Sequence, residues 1–268
     1  MPRAPRADVI TLASDFGSPY PAAMKGVLLQ QTDARLVDVA HDLPRQDVRA
    51  AAFWLREVLP YVPPAVHLAV VDPGVGTDRA ALVVRAGDHH LVGPDNGVLL
   101  PAARRLVAAA SDAASGTDAG RAVDVHEWTY DDPDSSTFHG RDVFAPAAAA
   151  VHEAPDATAL DAVVPADEYV DLAFPEPEVH DEGAIGEVLV VDGFGNVVTN
   201  VPGDVLDGLG DVRVDGRPVP VDRAYATVDE GQWIATVGSH GNVELAVNRG
   251  RGDEAFGLGP GDDVVLEW

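Results

Sequence analysis

Short apolar runs and amphipathic stretches alternate along the first two-thirds of the chain. Residues 9–13 (VITLA) form an apolar run halted at Ser14-Asp15-Phe16-Gly17, which predicts a strand entering a turn. Residues 22–32 read as a helix. Over residues 48–59, Val48, Ala51, Ala52, Leu55, Val58 and Leu59 recur on one helical face, and Pro60 stops the run. Residues 66–71 (VHLAVV) form a second apolar strand, broken by Asp72-Pro73-Gly74. Strands are expected at 81–86 and 90–92, ending on Pro94-Asp95-Asn96-Gly97, and a helix over 98–113. Residues 122–128 alternate as a strand does, and residues 144–152 form an alanine-rich helix.

Strands alternating with helices predict an α/β N-terminal domain over residues 1–172, with a mainly parallel sheet flanked by helices. Residues 173–183 are polar and proline-rich, as a linker is. Over residues 184–268 the texture changes to short strands such as EVLVVD, GNVVTNV, NVELAVN and DVVLEW, punctuated by Gly and Asp. That pattern predicts a small all-β barrel as C-terminal domain.

Charge narrows the partners. Asp and Glu number 44 against 18 Lys and Arg, a formal net charge of -26, and Lys25 is the only lysine. Such a surface repels nucleic acid and anionic membrane, so neither is expected as a partner. A charge of this size points to a salt-rich cytoplasm, where screening tames self-repulsion, before it points to a cationic ligand. With no cysteine in the chain, disulfides, thiolate nucleophiles and thiolate metal sites are excluded. No run approaches the roughly 18 apolar residues of a membrane span, and the N-terminal stretch has no apolar segment of signal length, so a cytoplasmic location is expected.

In open α/β sheets ligands bind beyond the carboxyl ends of strands. Three predicted strands end on an aspartate: Asp15, Asp72 and Asp192. Aspartate also favours turns for its own sake, so each has an ordinary structural explanation. Glycines follow closely in Asp72-Pro73-Gly74-Val75-Gly76 and Asp192-Gly193-Phe194-Gly195-Asn196, where a ligand could approach the backbone. The stretch Ser136-Thr137-Phe138-His139-Gly140-Arg141-Asp142 is dense in polar groups ahead of an apolar helix. There Asp142 fits an N-cap, and His139 fits a structural donor as well as a catalytic one. Phosphate-loop, dinucleotide, zinc-protease and nucleophile-elbow patterns are all missing from the sequence. His89 and His90 sit next to each other in a predicted hairpin and would face opposite ways, so no metal site is expected.

Five blocks occur together in order: SDFGSPYPAAMKG (14–26), DPGVGTDR (72–79), GPDNG (93–97), STFHGRDVFAPAAA (136–149) and DGFGNVVTN (192–200). As an ordered set they resemble the S-adenosyl-L-methionine (SAM) hydroxide adenosyltransferases, water-using relatives of the fluorinase and chlorinase enzymes. The resemblance implies hydrolysis of SAM at its 5′ carbon to adenosine and methionine, with water as co-substrate and no cofactor. It also implies a homotrimer whose active sites lie between one subunit's N-terminal domain and its neighbour's C-terminal domain. A water-activating triad would fall on Asp72, Arg79 and His139. Asp15 would take the ribose hydroxyls, and Asp192, Asn196, Ser239 and Asn248 would complete substrate binding.

Halogenating relatives carry tyrosine-like residues where Asp72 and His139 stand, and their insertion between the second and third blocks is missing here. The first block also departs from the family: Asp15 and Lys25 lie about two residues closer together than usual, and a second aspartate is lacking, with Tyr20 nearby. That leaves the methionine end of the pocket undefined. Val198 replaces a fluorinase tryptophan, which predicts aliphatic packing on adenine. Two rival classes fit the same residues. A halogenase would make 5′-halo-adenosine when given halide; a non-catalytic nucleoside-binding module would bind adenosine without turnover.

Overall fold

The computed structural model describes residues 8–113 and 123–268. Residue 122, the expected start of a strand, and residues 1–7 lie outside them. The chain divides into two compact units, residues 1–173 and 174–268.

In the first unit, chain order runs β1 (Val9–Ser14), α1 (Tyr20–Gln31), β2 (Arg35–Ala40), α2 (Val48–Val58), β3 (Val66–Val70), β4 (Ala81–Ala86) and β5 (His89–Pro94). Then come α3 (Leu100–Ala113), β6 (Val123–Trp128), α4 (Ala145–Glu153) and β7 (Val163–Pro165). The seven strands form one sheet in the order β2-β1-β3-β5-β4-β6-β7. The expected mainly parallel sheet is corrected here to a mixed one. β2, β1, β3 and β5 run parallel, whereas β4, β6 and β7 add on antiparallel. The cause is the hairpin between β4 and β5, turned at Gly87 with φ 61°, which reverses the chain without a helical crossover.

β1, β3 and the paired β4–β5 are buried almost throughout, as strands covered on both faces must be. Ile10, Leu12, Leu68, Val70, Val83 and Val92 share a core with Met24 and Leu28 of α1 and with the alanines of α4. Alanine lets α4 lie close against the sheet. Helix α2 begins where the Asp47 side chain accepts the Ala50 N–H at 2.9 Å. Its buried face includes Ala51, Ala52, Phe53 and Leu55, while Val58, expected inside, is 40% exposed.

The second unit contains β8 (Glu178–His180), β9 (Gly183–Val191), β10 (Val197–Pro202), β11 (Asp211–Val214) and β12 (Arg217–Pro220). It continues with β13 (Trp233–Val237), β14 (Asn242–Val247), α5 (Gly252–Phe256) and β15 (Asp263–Glu267). Its sheet runs β12-β11-β15-β9-β10-β14-β13, with β8 added on β9, and every pairing between these strands is antiparallel. Strand β9 pairs with β15 through its first half and with β10 through its second. A bridge from Val221 to Ala235 nearly closes the sheet into a barrel around Val188, Val197, Val212, Leu245 and Leu266. β8 falls inside the segment expected to be linker.

Candidate active site

Parallel pairing of β1 with β3 sets Ser14 opposite Val70, so Asp15 and Asp72 leave the sheet at the same carboxyl end. The Asp72 turn is built around a pair. Asp72 Oδ1 accepts from Arg79 Nη1 and from the Gly74 N–H at 3.2 Å, whereas Oδ2 takes no hydrogen bond from any described residue. A Cβ on Gly74 would stand 2.1 Å from Arg79 Nη2, so the guanidinium can fold over the turn only if residue 74 has no side chain. Gly76, at φ 83°, does the same for the neighbouring block: its Cβ would lie 2.4 Å from the Ser136 carbonyl. That contact packs the aspartate turn against the segment carrying His139.

His139 is 6% exposed. Its ring meets Tyr130 edge to face, centroids 6.3 Å apart, and it lies near enough to Asp72 to act on it electrostatically. It opens a π-helical turn, Gly140–Phe144, leading into α4. Asp142 lies inside that turn rather than capping α4 and accepts from Arg141 Nη2 at 2.8 Å.

Burial lifts the Asp72 carboxyl above the usual carboxylate range, against the opposing pull of the Arg79 guanidinium and the Gly74 N–H. A cavity of about 520 Å³ opens here, with Arg79 and His139 in its wall beside the carboxylates of Asp78, Glu127, Asp131 and Asp132. Burial, with Asp72 next in effect, also raises the Tyr130 phenol.

Asp15 stands at the end of β1, half-buried, its Oδ2 accepting the Gln46 N–H at 2.7 Å. Asn96 was quoted within a sequence block without a role. The structure gives it one: its Nδ2 donates to the Val71 carbonyl at 2.8 Å and its Oδ1 accepts the Val98 N–H at 3.1 Å, fixing the strand end just before Asp72. Tyr130 carried no signal in the sequence.

In the second unit Asp192 and Asn196 share one turn. Asp192 Oδ1 accepts the N–H of Phe194 and of Asn196, each at 2.8 Å, and Oδ2 accepts Asn196 Nδ2 at 3.1 Å. These are the bonds of an aspartate that organises its own turn, so the structural explanation of Asp192 holds whatever else it does. Phe194 projects from the tip of that turn, 81% exposed. Ser239 is exposed in the β13–β14 turn, next to His240, whose Nε2 lies 3.3 Å from Glu244 Oε2. Asn248 spends its Nδ2 on the Val228 carbonyl at 2.8 Å, a scaffold bond at the end of β14. Among the described residues no group of three or more His, Asp or Glu could hold a metal ion, and no helix is long and apolar enough to cross a membrane.

An α/β unit followed by a barrel-like β unit has counterparts among solved structures. A Thermotoga maritima protein described as an uncharacterized conserved protein superposes with a TM-score of 0.76 at 32% identity, covering 97% of this chain and 100% of its own. A conserved hypothetical protein of Thermus thermophilus gives 0.75 at 39% identity, covering 98% and 100%. Family models for the SAM hydroxide adenosyltransferase N-terminal and C-terminal domains match residues 10–161 and 186–265. The chain belongs to the SAM hydroxide adenosyltransferase family. Proteins named (R)-S-adenosyl-L-methionine hydrolase are similar over nearly the whole length. That of Salinispora tropica is 42% identical over 258 residues, 94% of this chain and 95% of its own. That of Thermus thermophilus is 44% identical over 262 residues, 94% and 97%.

Proposed function

We propose that this protein hydrolyses S-adenosyl-L-methionine at C5′ to adenosine and L-methionine. The observation that carries the reading is the Asp72 carboxylate, its side chain only 6% exposed, paired with Arg79, which shares the wall of an acid-lined cavity with His139. Membership of the family and the names of relatives at 42–44% identity supply the substrate. Those names specify an (R) form, which is the form to test first.

The substrate is a sulfonium, and its leaving group is a neutral thioether that departs without a general acid. What remains is to hold water in line with the C5′–S bond and take its proton. The water oxygen bonds to C5′ while the C5′–S pair returns to sulfur. The water proton passes to Asp72 Oδ2, the oxygen that Arg79 and Gly74 leave open. Burial makes that carboxylate a better base than an exposed one. Arg79 stays protonated, so its work is to orient Asp72 and stabilise developing hydroxide. His139 holds the water from the other side. The surrounding carboxylates suit a cationic substrate.

In this reading Asp15 binds the ribose diol and Asp192 and Asn196 of a neighbouring subunit complete the site, in a homotrimer. Ser239 and Asn248 line its far side. The chain works without cofactor, in a salt-rich cytoplasm; its charge of -26 and its lack of cysteine support that setting.

Mass spectrometry of the products made by pure protein from SAM in high salt tests the reading. Adenosine and methionine in equal amounts are expected. 5′-Halo-adenosine formed on adding halide would assign a halogenase instead, and bound adenosine without turnover a binding module.

A further inference from the structure

We propose that His41 is a positioning residue for Asp15, acting at the centre of a side-chain relay that runs Lys25–Asp38–His41–Ser14. The proposal rests on Asp15 being the ribose-binding residue. Lys25 Nζ donates to Asp38 Oδ2 at 2.6 Å, His41 Nε2 lies 3.0 Å from Asp38 Oδ1, and His41 Nδ1 lies 2.7 Å from Ser14 Oγ. Directions follow from the far end. Asp38, paired with Lys25, is a carboxylate that can only accept, so His41 Nε2 donates to it. In neutral His41 the other ring nitrogen is then the acceptor, and the wholly buried Ser14 hydroxyl donates to it. The only lysine of a chain with 44 acidic residues is committed to this relay.

His41 holds Asp15 from both flanks. Ser14, the residue before, is bound by the His41 ring; Gly17, two residues after, donates its N–H to the His41 carbonyl at 2.8 Å. The same segment closes further on: Leu43 N–H donates to the Ser14 carbonyl at 3.3 Å, and Gln46 N–H to Asp15 Oδ2 at 2.7 Å. Gln46 adopts φ 60°, a left-handed backbone that a non-glycine residue takes at a cost. The N–H that aims the Asp15 carboxylate is therefore held by the segment as a whole, and His41, with the Leu43 N–H, fastens that segment to β1. A carboxylate gripping a vicinal diol with both oxygens needs a fixed direction, which the relay supplies.

The experiment compares dissociation constants of adenosine and 2′,3′-dideoxyadenosine for the intact protein in molar KCl. Wild type should prefer adenosine and Asp15→Asn should lose that preference. His41→Ala should lower it about tenfold, the effect of one charge-assisted hydrogen bond. Ser14→Ala, which removes only a hydroxyl, should show a loss of the same sign and keeps the test open if His41→Ala does not fold. His41→Asn, whose Oδ1 can take the Ser14 hydroxyl, should recover part of the preference. In the Asp15→Asn background His41→Ala should add nothing, because both act through one carboxylate. Wild-type preference in His41→Ala or Ser14→Ala, with Asp15→Asn impaired, overturns the proposal; so do additive losses in the double variant. An unchanged preference in Asp15→Asn overturns the ribose role of Asp15 and the proposal with it.

Discussion

The guanidinium of Arg79 occupies the space that a side chain on Gly74 would need: a Cβ there would lie 2.1, 2.5 and 2.8 Å from Nη2, Cζ and Nη1. Gly74→Ala therefore drives Arg79 off Asp72 without touching either residue chemically. Because Arg79 is assigned to orientation and charge stabilisation, the expected result is a kcat lower by about a hundredfold with KM within a few-fold, the scale seen when one positioned donor is lost. Steady-state release of adenosine measures both.

Asp72→Ala and His139→Ala should each abolish adenosine release while leaving adenosine binding within about tenfold of wild type, since neither is assigned to hold the nucleoside. Isothermal titration beside a turnover assay separates the two effects. Binding and turnover lost in equal measure would contradict the assigned roles.

The fold was legible where burial is one-sided or complete, and illegible where direction had to be read. VITLA and VHLAVV announced β1 and β3 because both faces of each are covered. Burial gave no direction for β4 and β5, since a strand buried on both faces is apolar whichever way it runs, and the hairpin expected at His89-His90 was not carried through to the sheet as a whole. The alternation of VDVHEW in β6 was a further hint of antiparallel pairing. β2, RLVDVA, escaped notice because it lies half-exposed next to β1 and mixes charge with aliphatics. At the site, Asp72, Arg79 and His139 came from ordered blocks; the structure pairs Asp72 with Arg79 and sets Arg79 and His139 in one cavity wall. The partnership of His41 with Ser14 and Asp38 spans 27 residues on one side and three on the other, and no local pattern carries it.

The acid limb of kcat/KM should report Asp72. Burial raises the carboxyl in the folded protein, so the base form is lost as pH falls through a value above the ordinary carboxylate range of about 4. Because burial outweighs the Arg79 pair, the sign for stability is opposite to that of an aspartate whose carboxyl is lowered: a raised carboxyl favours folding when protonated, so ionising Asp72 costs the fold stability as pH rises. A pH–rate profile, with a parallel series of unfolding midpoints for wild type and Asp72→Asn, checks both. An acid limb at or below the ordinary carboxylate value would remove Asp72 as the base.

Charge and assembly are linked. In the proposed trimer three subunits carrying -26 each would meet only under screening, and the Debye length shrinks from about 30 Å at 0.01 M salt to about 3 Å at 1 M. Trimer and activity should therefore be present in molar KCl and be lost together on dilution. Mixing the inactive variants Asp72→Ala and Asn196→Ala should restore partial activity, because some hybrid sites would draw both residues intact. Light scattering alongside adenosine release follows both changes. A fully active monomer, or no rescue after proven subunit exchange, would defeat a shared site.

Cleavage at C5′ by water leaves a signature that no rival reaction on this substrate shares. In heavy-oxygen water, with pure protein and SAM in molar KCl, the adenosine formed should carry one heavy oxygen at its 5′ position and the methionine none. Asp72→Ala should form neither product above background. Unlabelled adenosine, or label appearing in the methionine, would contradict the attack of water on C5′.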